Sequence, residues 1–231
     1  MDNILDRAGR FRGEIFERES ALYQGLAHNG QSPKALMISC ADSRVVPEQI
    51  TQAGPGELFV CRNAGNIVPP FAQANGGVSS TVEYAVKVLK VRDIVVCGHS
   101  DCGAMKAFLT PEIWDDIPNV ASWLRHAHAA ECVVDAAYPD LDGKDKVRAI
   151  ALENVITQIQ HLRTHPSVAA AMARGELSLH GWFFEIDSGS ILALDGDSGS
   201  FVTVRDDAPL PVAIAPREAG TPQRLRWALG Q

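Results

Sequence analysis

The stretch ALMISCADSR, residues 35–44, decides the fold of this chain. Four apolar residues open it, and Cys40 follows at the start of a polar segment. A short apolar run of this kind is typical of a buried strand in a parallel sheet. The stretch IVVCGHSDCG, residues 94–103, has the same form and carries His99 and Cys102. We therefore predict two buried strands, each ending directly before candidate metal ligands.

These three residues point to a metal site at one edge of the sheet. In an open α/β sheet, ligands bind in the crevice beyond the carboxyl ends of the strands. The two strands would deliver Cys40, His99 and Cys102 to the same edge. Two thiolates and one imidazole form a common ligand set for catalytic zinc, with the fourth position left open. The sequence predicts one zinc ion per chain.

Apolar periodicity outlines the rest of the fold. Strand and helix patterns alternate across residues 35–110, which favours an α/β fold whose central, mostly parallel β-sheet is flanked by helices. Helical spacing across residues 3–27 predicts an N-terminal helical arm that packs on a neighbouring surface. Alternating apolar residues at 179–186 and 191–194 predict a C-terminal extension of the sheet.

The domain organisation follows from the same patterns. We expect a single domain over residues 1–205, of which 1–30 form the N-terminal arm. Four prolines interrupt residues 206–231, which we interpret as a Pro-rich C-terminal tail, loosely ordered unless its Leu225, Trp227 and Leu229 dock on a partner.

Composition excludes several classes of protein. The formal net charge of -7 argues against nucleic-acid binding, which requires a basic surface. The apolar runs are too short to span a membrane, and the charged N-terminus lacks the apolar region of a signal peptide. These features predict a cytoplasmic location. The five cysteines are an odd set without the spacing of a secreted disulfide framework, and we expect Cys61, Cys97 and Cys132 to be inert core residues.

The two motifs together resemble the signature of the β-class carbonic anhydrases. The pattern is Cys-x-Asp-x-Arg at residues 40–44 followed by His-x-x-Cys at 99–102, with GELFV, RNAGN, VPP and EYA between them. The resemblance covers about residues 31–204. It implies a zinc lyase that interconverts CO₂ and water with bicarbonate and a proton, assembled as a homodimer or a larger homo-oligomer.

The resemblance also implies a catalytic dyad of Asp42 and Arg44. Asp42 would accept the hydrogen bond of a zinc-bound hydroxide and orient it for attack on CO₂. Arg44 would keep the carboxylate ionised and fixed, because a nearby cation favours the charged form. Two thiolate ligands weaken zinc as a Lewis acid, so we predict activity that rises toward alkaline pH.

Five further residues are implied to bind substrate. By resemblance, Phe59, Ala64 and Tyr84 line a narrow apolar slot across a subunit boundary. Gln31 matches the family's substrate-orienting glutamine, and Gly103 allows close approach of the substrate to its backbone N–H.

Met37 and Ser39 bear on regulation by pH. They occupy positions where some members of the family carry Trp and Gly, in a branch whose aspartate takes the open zinc position at low pH. The sequence therefore resembles the plant and cyanobacterial branch more closely. We expect Asp42 to pair with Arg44 at neutral pH.

Two alternatives for the function stay open. The same chemistry could act on COS or CS₂, since these molecules share the cumulated double bonds of CO₂. A scaffold that has kept only the fold is the other alternative, and loss of Asp42 or Arg44 would be its mark. Both residues are present. The Gly-Asp-Ser-Gly segment at 196–199 resembles a serine-protease motif, but a turn between two strands explains it better.

Overall fold

The structure, a computed structural model, describes residues 3–72 and 76–214. Its strands are β1 (Ala35–Cys40), β2 (Leu58–Asn63), β3 (Asp93–His99), β4 (Ser178–Phe184), β5 (Ile191–Leu194) and β6 (Phe201–Thr203). Its α-helices are α1 (Ile4–Phe11), α2 (Ser20–Asn29), α3 (Pro47–Thr51), α4 (Gly77–Tyr84), α5 (Gly103–Lys106), α6 (Pro118–Leu124), α7 (His128–Ala137), α8 (Gly143–Leu162) and α9 (Pro166–Ala173).

The six strands of the described residues belong to one sheet, in the order β2-β1-β3-β4-β5-β6. The first four are parallel, whereas β5 and β6 continue the sheet as antiparallel strands. The register pairs Cys40 with Asn63 and Ser39 with Cys97, so β1, β2 and β3 end at the same edge. This confirms the predicted α/β fold with a mostly parallel central sheet.

The main core lies between the sheet and the helices α4, α8 and α9. Alternate residues of the central strands enter it, including the fully buried Leu36, Ile38, Ile94 and Val96. A strand places successive side chains on opposite faces, so Met37, Val95 and Cys97 form a smaller cluster on the other face. Both faces of β1 and β3 are therefore buried, which explains their continuous apolar runs.

The N-terminal arm is not one continuous helix. It consists of α1, a π-helical segment (Arg12–Phe16) and, after a break, α2. At the break Glu19 leaves the helical region, with φ -111° and ψ 15°. Ile4 and Leu5 expose 79% and 71% of their surface, whereas Phe16 and Leu26 are partly buried. The first apolar positions of the predicted arm therefore face outward in a single chain. Packing of the arm on a partner stays a prediction.

Two other parts differ from the sequence prediction. The helical pattern at 120–134 divides into α6 and α7, joined by a short 3₁₀ helix (Arg125–Ala127). Helix α9 was not predicted; Pro166 begins it, as proline suits the first position of a helix.

The described part of the predicted tail contacts the sheet. Ile214 pairs with Leu179 of β4 in antiparallel fashion, and the N–H of Gly196 donates to the carbonyl of Val212 at 2.8 Å. Residues 215–231 lie outside the described part. In the described part of the chain, no helix is both long and apolar enough to cross a membrane.

Candidate metal centre

The structure brings the three predicted ligands together. Cys40 is the last residue of β1 and His99 the last of β3, and Cys102 directly precedes α5. Their ligand atoms all lie within 4.8 Å of one another, and all three residues are buried. Because β1 and β3 are adjacent parallel strands, the fold itself delivers these side chains to one point.

The imidazole of His99 is oriented as a metal ligand. Its Nδ1 lies 2.8 Å from the carbonyl oxygen of Ser100, to which it donates a hydrogen bond. This bond selects the tautomer whose Nε2 carries a free lone pair. Nε2 is buried and has no hydrogen-bond partner within the described residues. A buried acceptor without a partner costs free energy, and a cation would remove that cost.

The two thiols have opposite pKa shifts. A hydrogen bond from Cys102 to the sulfur of Cys40 is the main factor that lowers the pKa of Cys40, and the same bond raises the pKa of Cys102. The two buried sulfurs therefore lie close enough for each to shift the pKa of the other. A divalent cation that displaced the thiol protons would be balanced by two thiolates, so the donor set fits zinc.

A backbone N–H completes the surroundings of Cys40. The N–H of Gly65 donates to the Cys40 sulfur at 3.4 Å. Gly65 has a φ of +79°, and a Cβ at this position would lie 3.0 Å from Cε of Met105 and 3.1 Å from Cβ of Ala104. The close approach of this loop to the ligands therefore requires glycine.

Asp42 and Arg44 form an ion pair beside the ligands. Arg44 donates from Nε to Oδ1 at 3.0 Å and from Nη2 to Oδ2 at 2.8 Å, while Oδ2 lies 4.0 Å from Nε2 of His99. The hydrogen bonds from the Arg44 side chain are the main reason that the pKa of Asp42 lies well below its usual range. The predicted dyad thus exists as a geometric pair.

Two further residues of this region escaped the sequence analysis. Asp101 accepts from Nη1 of Arg44 at 3.0 Å and forms an ion pair with Lys106. Arg62 donates to the carbonyl oxygens of Cys40 and Asp42 at 3.1 and 2.7 Å. Arg62 lies in the quoted RNAGN segment, but its partners are backbone atoms about 20 residues away, and no side-chain pattern indicates them.

The five predicted substrate residues divide into separate groups. Ala64 directly follows β2 beside Gly65, and Gly103 follows Cys102, with open space where a Cβ would point. These two flank the ligands. Gln31 is exposed in the connection between α2 and β1.

Phe59 and Tyr84 lie together, with ring centroids 5.9 Å apart. Phe59 is paired with Leu36, near the start of β2, whereas Cys40 is paired with Asn63 at its end. Four residues of strand correspond to about 13 Å, so these rings lie away from the ligand edge of their own chain. Tyr84 instead lines a cavity of about 610 Å³ with Phe71 and His165.

The other cysteines and the protease-like segment have ordinary surroundings, with one exception. Cys97 is fully buried and Cys61 is partly buried. The expectation for Cys132 was wrong: it is exposed on α7, because the apolar residues near it in sequence do not all face the core. Residues 196–199 form the turn between β5 and β6, as predicted.

Comparison with known proteins agrees with the geometry. The family model described as carbonic anhydrase matches residues 35–191. A carbonic anhydrase of Pseudomonas aeruginosa is 52% identical over 206 residues, which are 89% of this chain and 93% of that protein. The solved β-carbonic anhydrase CcaA superposes with a TM-score of 0.85 at 42% identity, covering 88% of this chain and 92% of the other.

A structure from a report of two tetrameric β-carbonic anhydrases of the ascomycete Sordaria macrospora matches with a TM-score of 0.73 at 31% identity, covering 86% of this chain and 96% of the other. The family match, the identities and the shared fold confirm the resemblance seen in the motifs. The chain belongs to the β-carbonic anhydrase family.

Proposed function

We propose that this chain is a lyase that catalyses the reversible hydration of CO₂ to bicarbonate and a proton, with one zinc ion held by Cys40, His99 and Cys102. The observation that carries the proposal is the buried ligand set, whose donor atoms lie within 4.8 Å of one another at the carboxyl edge of the sheet. Asp42, whose pKa the hydrogen bonds from Arg44 lower, lies beside it. Membership of the β-carbonic anhydrase family supports the choice of reaction.

When bound, zinc would supply a Lewis acid that activates water for attack on CO₂. Cys40 and Cys102 would contribute two negative charges, and His99 would contribute a neutral imidazole fixed by Ser100. Because the thiolates cancel the charge of the cation, these ligands shift the expected activity toward alkaline pH.

Asp42 would orient the attacking water. Both of its carboxylate oxygens accept from Arg44, and Oδ2 is also the oxygen nearest His99. A bidentate arginine fixes the plane of the carboxylate and keeps it charged, so Asp42 can act only as an acceptor. Arg44 in turn is held by Asp101, which limits its rotation.

The pocket for CO₂ would require two subunits. Ala64 and Gly103 present little side chain next to the ligands, which leaves room for a small substrate. Phe59 and Tyr84 lie about 13 Å along the sheet from the ligand edge, so they would reach a ligand set only on a partner chain, as would the exposed Gln31. We therefore propose a homodimer or larger assembly acting in the cytoplasm, where free cysteines remain reduced.

The test is stopped-flow CO₂ hydration by protein of measured zinc content at neutral and alkaline pH. We expect one zinc per chain, a rate that rises with pH, and a loss of about 100-fold or more in Asp42→Ala, by analogy with the loss of a positioned acid–base group. The matched control is Asp195→Ala, in the distant turn after β5, and its rate should equal that of the wild type.

Two outcomes would contradict the proposal. Full zinc occupancy without hydration at either pH would exclude CO₂ as the substrate, and COS and CS₂ hydrolysis would then be assayed on the same protein. Equal rates for the wild type and Asp42→Ala would agree with the proposed reaction but show that Asp42 has no part in it.

A further inference from the structure

Two amide side chains are buried completely in α8. Asn154 and Gln158 are both 0% exposed and stand one helical turn apart. They face the loop of residues 64–69, which follows β2 and approaches the ligands. Burying an amide is costly unless its hydrogen bonds are satisfied, so their partners indicate what they do.

These amides hold the loop by its backbone. Nδ2 of Asn154 donates to the carbonyl of Gly65 at 2.9 Å, and Oε1 of Gln158 accepts from the N–H of Val68 at 2.9 Å. Nε2 of Gln158 also donates to Oδ1 of Asn154 at 2.7 Å, which joins the two side chains. The loop is thus fixed at both ends by one connected pair.

Residues at and beyond the end of α8 extend the same contact. Nδ1 of His161 donates to the carbonyl of Val68 at 2.8 Å, and Nε2 of His165 donates to the carbonyl of Pro69 at 3.0 Å. The loop has left the sheet at this point, so side chains replace the hydrogen bonds that a strand would have made.

The loop that these side chains hold also contacts the ligand Cys40. The peptide group between Ala64 and Gly65 donates its N–H to the sulfur, while its carbonyl oxygen accepts from Nε1 of Trp123 at 2.9 Å. Asn154 holds the next carbonyl, that of Gly65 itself. The direction of the N–H toward sulfur is therefore fixed on both sides, although glycine has a flexible backbone.

We propose that Asn154, supported by Gln158, is a positioning residue for the metal centre: it fixes the Gly65 N–H on the Cys40 sulfur and thereby slows the release of the metal. This inference rests on the proposed zinc site. Groups that orient metal ligands from outside the coordination sphere typically change metal affinity by about 10- to 100-fold when they are removed. Asn154 would act through the loop and touch neither metal nor substrate.

The test uses Asn154→Leu, which is similar in size and removes every hydrogen bond. Its control is Val147→Ala, a truncation of a buried residue in the same helix, seven residues or about 10 Å away. The first measurement is hydrogen exchange of the Gly65 amide by NMR. Exchange should be faster in Asn154→Leu than in the wild type and unchanged in Val147→Ala. An unchanged rate in Asn154→Leu would overturn the proposal, whatever metal the protein holds.

The second measurement is the rate at which zinc passes to a chromogenic chelator, with the thiolate-to-cobalt absorption band of Co²⁺-substituted protein as a spectroscopic check. Asn154→Leu should release zinc about 10-fold faster, which is the low end of the range for such groups, and it should shift this absorption band. Equal release rates, or rates that follow thermal stability alone in both variants, would overturn the metal part of the inference. Failure of CO₂ hydration with both shifts present would instead reject the proposed function.

Discussion

At the scale of single residues, the contact between Asp101 and Arg44 predicts that removing the charge of Asp101 lowers activity less than removing Asp42 does. Asp101 holds the outer side of Arg44 through Nη1, and it has a φ of +59°, a conformation that asparagine tolerates well. Asp101→Asn keeps the backbone but removes the charge. Exposed ion pairs are worth about 0.2–1 kcal/mol, so we expect CO₂ hydration to fall by no more than about 5-fold. Stopped-flow kinetics at alkaline pH checks this.

The corresponding control is Lys106→Gln, which removes the second cation on Asp101 without touching Arg44. Its rate should stay closer to that of the wild type. A loss in Asp101→Asn as large as that of Asp42→Ala would show that Asp101 belongs to the dyad itself.

The exposure of Cys132 predicts that its thiol is alkylated before those of the other cysteines. Its thiol is exposed on α7, 3.5 Å from Nε2 of His128, whereas Cys97 is fully buried. With zinc bound, Cys40 and Cys102 would be protected by the metal. Limited treatment with iodoacetamide should therefore label Cys132 first, as peptide mass spectrometry would show. Labelling of Cys97 in the folded protein at a similar rate would contradict the structure, and unfolding in urea provides the reference in which all cysteines react.

The residues of the site differ in how far sequence predicts them. Cys40, His99 and Cys102 could be found because each follows a strand pattern, and parallel strands end at a common edge. Arg62 and Asn154 could not be assigned, because each binds backbone atoms far away in sequence. A partial signal existed for Asn154: it falls on the buried face of α8, where a polar residue requires a partner.

At the scale of secondary-structure elements, α8 packs very closely on the sheet. A Cβ at Gly181 of β4 would lie 2.9 Å from Cδ1 of Ile159 and 2.9 Å from Cγ1 of Val155. Gly181→Ala should therefore lower the free energy of unfolding by about 1–3 kcal/mol, the usual cost of overpacking. Urea denaturation measures it. The control is Gly25→Ala within α2, where a Cβ meets nothing within 4 Å, and this change should stabilise the protein by about 0.5–1 kcal/mol.

The elements also show where sequence patterns become insufficient. The strands β1 and β3 were predicted because both of their faces are buried, which leaves an unbroken apolar run. The arm was predicted as one helix because its apolar spacing continues through the break at Glu19. Apolar periodicity indicates which residues are to be buried. The path of the chain also depends on the surface against which they pack, and the local sequence does not specify that surface.

At the scale of the whole molecule, the burial of His161 makes the free energy of unfolding depend on pH. His161 is partly buried under the loop that approaches the metal centre, and desolvation is the main factor that lowers its pKa, with smaller contributions from His126 and His165. The hydrogen bond from Nδ1 to the carbonyl of Val68 acts in the opposite direction, since it raises the pKa, but desolvation outweighs it. Since the folded pKa lies below the unfolded value of about 6.5, protonation favours the unfolded chain. The stabilisation is complete above about pH 6.5 and is lost as the pH falls through the folded pKa.

We therefore expect the wild type to lose more free energy of unfolding between pH 7 and pH 5 than His161→Asn, whose amide keeps an N–H donor and does not titrate. Denaturant unfolding of both proteins at each pH measures the difference. Release of a bound metal would add its own pH dependence, because the ligands Cys40, Cys102 and His99 take up protons when the metal leaves. The comparison is therefore made on metal-free protein, in which metal release contributes to the unfolding free energy of neither variant. An NMR titration of His161 with a midpoint at or above about 6.5, or parallel pH profiles for the two proteins, would show that burial under the loop does not link this histidine to folding.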